Sequence, residues 1–419
     1  MDLFLGIDFG TSGARAMVID AEARIQSEMR YPWEIAVDWV DVWQRALFTL
    51  LASIPEALRP EIKAIAINGT SSTVLLVDEA GTPVDTPLFY NDSRGSVILE
   101  QLKSIAPENH TVVSATSSLA KLLWLSQLPS FNKAKYFLHQ ADWLAFLLHG
   151  ILGISDYHNA LKLGYDVEEL KYPEWLTQLQ IPIQLPKVLP PGTPIAKLRP
   201  EIIDKFGLRP DCLVCAGTTD SIAAFLASGA KSPGEAVTSL GSTLVLKLLS
   251  RTRVEDARYG IYSHRLGDLW LTGGASNTGG AVLRQFFTDA ELKSLSGEID
   301  ATKGSQLDYY PLLKAGDRFP INDPNLPPRL EPRPENPVEF LHGLLESIAR
   351  VEARGYELLQ QMGADQLKHV YTAGGGAANN TWSAIRERYL KVPVVSSKNT
   401  EAAYGTALLA MRGMGSAEC

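Results

Sequence analysis

Four short segments hold the residues whose types and spacing could do chemistry. In Gly6-Ile7-Asp8-Phe9-Gly10-Thr11-Ser12-Gly13-Ala14-Arg15 a carboxylate stands in the middle of an apolar strand. Burying it is costly unless something pairs with it. A hydrated Mg²⁺ would do so, because that ion prefers oxygen ligands and keeps several waters. The turn that follows has two glycines and two hydroxyl residues, so its N–H and O–H groups can approach a phosphate closely. The plainer alternative is a glycine-containing hairpin whose Asp8 caps its own turn. In Cys215-Ala216-Gly217-Thr218-Thr219-Asp220-Ser221, Asp220 falls where a strand gives way to a helix. That is a place for an N-cap, or for a general base within hydrogen-bond reach of a hydroxyl. Ser239-Leu240-Gly241-Ser242-Thr243 is a second phosphate-sized hairpin turn. Ala373-Gly374-Gly375-Gly376-Ala377-Ala378-Asn379-Asn380 is either a flexible turn or a backbone laid flat against a nucleoside. In the second case Asn379 or Asn380 caps the next helix or bonds the base.

Two other phosphate-binding patterns are absent. The chain has no G-x-x-x-x-G-K-[ST], which removes a Walker-type nucleotide binder. Gly6, Gly10 and Gly13 lack the G-x-G-x-x-G spacing, and their turn leads into a strand instead of a helix. A dinucleotide-binding unit therefore fails on context.

The elements that must position these segments follow from periodicity. Leu3–Phe9, Ala14–Asp20 and Arg24–Tyr31 read as strands, and Asp38–Ile54 as a helix, with Trp39, Val42, Trp43, Ala46, Leu47, Leu50, Leu51 and Ile54 on one face. Ile62–Ile67 and Val74–Val77 read as further strands. Three antiparallel strands, a helix and another strand open a ribonuclease-H-like, or actin-like, domain. The order recurs after residue 230. Strands are expected over 236–240, 244–249, 261–264 and 269–272, then a long helix over Pro337–Met362, a strand over 369–372 and a helix over 381–390. A strand over 392–395 follows, and a closing helix over 400–411 with Thr400 as its cap. The expected fold is thus α/β, two actin-like domains with a ligand cleft between them. The expected boundaries are 1–228 completed by the C-terminal helix 402–419, and 229–401. Leu185–Pro200, with five prolines, reads as a rigid connector, and 315–338 as a long loop.

A chain of 419 residues is too long for one ordinary core. Its 45% hydrophobic and 21% charged residues suit a folded soluble protein. A net charge of −8 argues against a broad nucleic-acid or acidic-membrane surface, so anionic ligands need a local donor site. No signal peptide or membrane span is read from the sequence. Of the three cysteines, Cys212 and Cys215 have C-x-x-C spacing but no second pair or nearby histidine. In a strand that spacing sends the two side chains to opposite faces, so the expectation is two buried thiols. A reducing, cytosol-like compartment, including a bacterial or plastid interior, follows.

Taken together, the four segments resemble the FGGY carbohydrate kinase family, which includes xylulose, ribulose, glycerol and gluconate kinases. The likeness extends to Gly69–Asp78, similar to the family's small-residue substrate strand, and to Leu88-Phe89-Tyr90-Asn91-Asp92-Ser93-Arg94, similar to its W-x-D-x-R segment. Lys121-Leu122-Leu123-Trp124-Leu125 and Glu401-Ala402-Ala403-Tyr404-Gly405-Thr406-Ala407 resemble its next helix and its final helix. Three departures stand out: Tyr90 replaces the usual tryptophan, Ser155 replaces the threonine of a T-D-x-x-N-A stretch, and the chain is shorter than is usual.

The resemblance implies ATP and Mg²⁺ as cofactors and a small-molecule sugar as partner. It casts Asp220 as general base, Asp8 as magnesium carboxylate, and Gly10, Thr11, Ser12, Gly13, Gly241, Ser242 and Thr243 as phosphate-binding hairpins. Gly375, Gly376 and Asn379 would lie against the adenosine, and Ser72, Asp92, Asp8 and Asp220 against the sugar. The compact form is most similar to small ketopentose kinases of cyanobacteria and plastids, which favours D-ribulose over D-xylulose. Rival expectations are a kinase for glycerol or a pentitol, and an actin-like ATPase without sugar kinase activity.

Overall fold

The computed structural model describes residues 1–33 and 38–415. Cys419 and the end of the expected closing helix, 416–419, lie outside the described residues. The chain forms two compact units, Met1–Ala227 with Glu401–Cys419, and Ser228–Thr400.

The first unit is built on a six-stranded sheet. Strands β1 (Leu3–Phe9), β2 (Gly13–Asp20) and β3 (Ile25–Pro32) make an antiparallel meander. Helix α1 (Trp39–Ser53) follows, with the Asp38 carboxylate accepting from the Val40 and Asp41 N–H groups, and buries the expected apolar face. Strand β4 (Ile62–Gly69) then pairs parallel to β1. Helices α2 (Ser118–Leu125) and α3 (Gln140–His149) precede the last two strands, β5 (Pro194–Lys197) and β6 (Leu213–Thr219). The sheet order is β3-β2-β1-β4-β6-β5, with β6 parallel to β4 and β5 antiparallel to β6. Helix α4 (Asp220–Ser228) leaves β6 directly.

Leu185–Pro200 is therefore not a connector. It contains the edge strand β5, and proline is tolerated there because one side of an edge strand has no ladder partner to serve.

The second unit repeats the plan. Strands β7 (Glu235–Leu240), β8 (Leu244–Ser250), β9 (Tyr262–Leu266) and β10 (Leu269–Ser276) are antiparallel neighbours in the order β9-β10-β8-β7. After helix α5 (Gly280–Phe286) and the long helix α6 (Pro337–Gln361) come β11 (His369–Ala373), helix α7 (Asn380–Leu390) and β12 (Val394–Ser396). β11 pairs parallel to β7, as β4 does to β1, and β12 parallel to β11. The two actin-like domains of mixed sheet and helix expected from the sequence are present.

The closing helix α8 (Ala402–Gly413) returns to the first unit. Its cap position is Glu401, not the expected Thr400. Alternation along β1 decides what it covers. Leu3, Leu5, Ile7 and Phe9 pack with α1 and α3, while Phe4 faces Ala407, Ala410 and Met411 of α8. Cys212 joins the first cluster and Cys215 the second, so the two buried thiols sit on opposite faces.

Candidate active site

Three parallel strands of the first unit end side by side, and the carboxylates stand at those ends. Asp8 of β1 and Thr218 of β6 both pair with Asn68 of β4, and Asp220 opens α4 just beyond. The carboxyl ends of parallel strands are where open α/β sheets present ligands. Asp8 is only 5% exposed and its Oδ1 has no hydrogen-bond partner. Burial, with the charge of Asp220 next in weight, pushes its carboxyl up to about 7, against the pull of Arg15. Gly10 lies against the same group, since a side chain there would begin 3.4 Å from Asp8 Oδ2.

Asp220 is half-buried, and its Oδ1 accepts from the Ser221 N–H at 2.7 Å. It is the first residue of the helix and not its N-cap. Lys162 is held below its ordinary range by burial, opposed by the charge of Asp220.

Orphaned polar atoms mark the same edge. Ten buried side-chain atoms lack a partner among the described residues, and five belong to Asp8, Asn68, Ser72, Asn159 and Thr219. Such groups cost stability unless a ligand or water satisfies them. Ser72 also has φ +64°, rare for a residue with a side chain. Asn159 belongs to a turn capped by Asp156, which accepts from its N–H and its Nδ2. Next to it, His158 Nδ1 lies 2.7 Å from Thr218 Oγ1, tying that turn to the end of β6.

Asp92 is less open than the resemblance implies. Arg94 grips both of its oxygens and stacks 4.8 Å over the Trp124 ring. Burial would raise the Asp92 carboxyl, but the bonds from Arg94 outweigh it and hold it low. A different trio, Ser118, His139 and Asp142, is linked through both ring nitrogens like a hydrolytic triad. All three are buried, and the serine hydroxyl is already engaged by the imidazole.

In the Gly10–Gly13 hairpin, the Gly10 N–H donates to the Gly13 carbonyl, and the Trp33 indole N–H to the Gly10 carbonyl at 2.9 Å. Thr11 and Ser12 are exposed at its tip. The Gly241–Thr243 turn closes in the same way within the second unit. The N–H groups of Gly280 and Ala281 then bond its carbonyls, fastening it to the start of α5.

A cavity of about 820 Å³ in that unit is lined by Gly241, Ser242, Gly375, Gly376, Asn379 and Trp382, among others. The Asn379 amide is already used: Oδ1 caps α7 through the Trp382 N–H, and Nδ2 donates to Ser296 at 2.8 Å. The capping alternative is realised, so Asn379 shapes the wall.

Some residues at these sites gave no warning in the sequence. Arg15 pairs in register with Asp8 and bonds Glu401 at 2.7 Å. Lys121 and Lys162 are lysines inside apolar stretches, and Arg284 reaches into the cavity from α5. A buried lysine and a solvated one are spelled alike.

Comparison with known proteins gives a consistent result. The N-terminal domain of the FGGY family of carbohydrate kinases matches residues 3–227 and its C-terminal domain residues 236–414. The second match thus includes α8, which packs on the first unit. A xylulose kinase of Bacillus subtilis is 25% identical, over 99% of this chain and 89% of its own length. The crystal structure of xylulose kinase from Rhodospirillum rubrum superposes with a TM-score of 0.85 at 21% identity, covering 99% of this chain and 90% of that one. Plasmodium falciparum glycerol kinase with ADP gives 0.86 at 18%, covering 100% and 91%.

Proposed function

Because the chain belongs to the FGGY family of carbohydrate kinases and is an ATP-dependent sugar kinase, we propose that its acceptor is a ketopentose, D-ribulose ahead of D-xylulose. The observation that carries this reading is the pair of carboxylates at the ends of β1 and β6, surrounded by orphaned buried polar groups. A polyhydroxylated acceptor would satisfy several of those groups at once. The relatives named xylulose kinase support a pentulose, and the resemblance of this compact chain to small ketopentose kinases is the ground for D-ribulose.

In this reading Asp220 takes the proton from the attacking hydroxyl. It is only part-buried, so a hydroxyl can reach it. Ser72 holds another acceptor hydroxyl through its unpartnered Oγ. Asp92, already fixed by Arg94, accepts from the sugar with its remaining lone pairs. The second-unit cavity takes the nucleoside of ATP, with Gly375 and Gly376 beneath it, and the glycine hairpins donate N–H groups to phosphate.

Asp8 fits a hydrated Mg²⁺: its Oδ1 lacks a partner, and its ionised form is disfavoured until a cation arrives. No group of three or more ligating side chains is found among the described residues, which suits an ion held by one carboxylate, waters and substrate phosphates. When bound, the ion supplies charge neutralisation to the phosphoryl group in transfer.

The test is a coupled ADP-release assay with Mg-ATP against D-ribulose, D-xylulose, L-ribulose, ribitol, xylitol and glycerol. D-Ribulose should give the highest kcat/KM, and Asp220→Ala should lose at least about a thousandfold in kcat. A preference for glycerol or a pentitol overturns the substrate. Wild-type turnover by Asp220→Ala overturns the base.

A further inference from the structure

One buried cation has no part in that mechanism. Lys121, on α2, is fully buried at 0% exposure, and its Nζ donates to the Ser72 carbonyl at 2.7 Å and to the Phe89 carbonyl at 2.6 Å. We infer that Lys121 is a positioning residue for the sugar site: its amine ties the Ser72 turn to the segment leading to Asp92, and so holds the Ser72 hydroxyl towards the acceptor. The inference rests on reading Ser72 as a sugar ligand.

The backbone of Ser72 supplies the first support. With φ +64° and its Oγ unpartnered, nothing in the serine side chain stabilises this conformation. The bond that Lys121 makes to its carbonyl does. Positions held in sparsely populated backbone regions persist only when their surroundings over-determine them, and they cluster at ligand sites.

The second support is the company the bond keeps. Val74 and Leu88 exchange backbone hydrogen bonds at 2.9 Å, and the Tyr90 N–H donates to Thr73 Oγ1. Lys121 extends this seam to Ser72 and Phe89. An apolar side chain would fill the space without desolvating an amine, yet both bonds of this amine go to backbone carbonyls of the two sugar-side segments.

The charge environment is compatible with the role. Asp92 favours the ammonium, Lys162 and Arg94 oppose it, and burial is the largest influence, pushing the lysine down to about 7. A neutral amine retains two N–H groups, so both carbonyl bonds survive loss of the proton.

A double-mutant cycle on the full-length enzyme tests the inference, with KM for D-ribulose and for ATP as readouts and a thermal melt to verify folding. Lys121→Met should raise sugar KM about tenfold or more, with ATP KM within about twofold. In a Ser72→Ala background, which lacks the hydroxyl, the same change should raise sugar KM by no more than about twofold. Equal penalties in the two backgrounds overturn the inference, as does an unchanged sugar KM in Lys121→Met. If Ser72→Ala alone leaves sugar KM unaltered, the reading of Ser72 fails and the inference fails with it, while the Asp220 test is untouched. Should Lys121→Met not fold, Lys121→Leu is put through the same cycle with the same expectations, a roughly tenfold rise in sugar KM that shrinks to about twofold in Ser72→Ala, and equal penalties in the two backgrounds overturn the inference.

Discussion

At Asp8, function and stability pull in opposite directions. Its folded pKa of about 7 lies above the ordinary value of 3.8. Between those two values the folded chain therefore binds more protons than the unfolded one, and stability falls as pH rises through that window. Asp8→Asn removes the loss. In EDTA at pH 8 it should be more stable than wild type by on the order of 2 kcal/mol, with little difference at pH 4. Urea denaturation at both values measures this, and added Mg²⁺ should raise the wild-type midpoint alone. Equal stability at pH 8 would remove the electrostatic account. Asp8 and Asp220 were legible in the sequence because an acid inside or just beyond an apolar strand is conspicuous. Lys121 was not, because a lysine in a helix normally snorkels to water, and only tertiary packing seals this one. Arg15 escaped for a related reason: its importance comes from register with Asp8 and from Glu401, 386 residues away.

At the scale of elements, the tightest fit in the first unit is made by glycine. A side chain at Gly6 of β1 would begin 2.1 Å from the Ala403 carbonyl oxygen, and one at Gly405 of α8 only 1.8 Å from that of Ala223 in α4. These are backbone atoms and cannot rotate away. Gly405→Ala should cost at least about 2 kcal/mol and lower kcat, since α4 begins with Asp220. Gly304→Ala, whose new methyl would meet only the tip of Arg388 at 3.9 Å, should stay within about 0.5 kcal/mol of wild type. Thermal melts of both compare them directly. A Gly405→Ala melt matching wild type would mean that α4 and α8 separate freely. Most strands and helices were readable to within a few residues, because alternation and 3.6-residue spacing are local signals. The cap of α8 was not, because a threonine was available at 400, but the helix begins where the Glu401 carboxylate can meet Arg15. β5 was hidden by Pro194 and the prolines flanking the strand, and its edge position depends on where the sheet ends.

Across the whole molecule, one plan used twice has diverged in content. The first sheet ends in carboxylates and orphaned polar groups, and the second in glycine turns around the 820 Å³ cavity. AMP, which lacks the β- and γ-phosphates, should therefore slow hydrogen exchange in peptides spanning 240–297 and 375–382, with peptides 1–227 little changed. Protection confined to 1–227 would place the nucleoside elsewhere. The doubled order was visible in the sequence because each half carries its own hairpin and its own strand–glycine–helix junction. The sequence reading put 402–419 with the first half against sequence adjacency, and α8 packs on the first unit.

That helix has a consequence for how the chain is made. α8 supplies Ala407, Ala410 and Met411 against Phe4, Ala64 and Cys215, on three strands of the first sheet. Yet a whole unit, Ser228–Thr400, is translated between β6 and α8. At bacterial to eukaryotic elongation rates of about 5–20 residues per second, adding that stretch takes roughly 10–35 s. During that interval the nascent first unit presents an uncovered apolar face, while the second unit can finish folding once its own residues emerge. The unit with the proposed catalytic aspartate begins before the second unit on the ribosome and is completed after it, and it is the part of a newly made chain that a chaperone would hold.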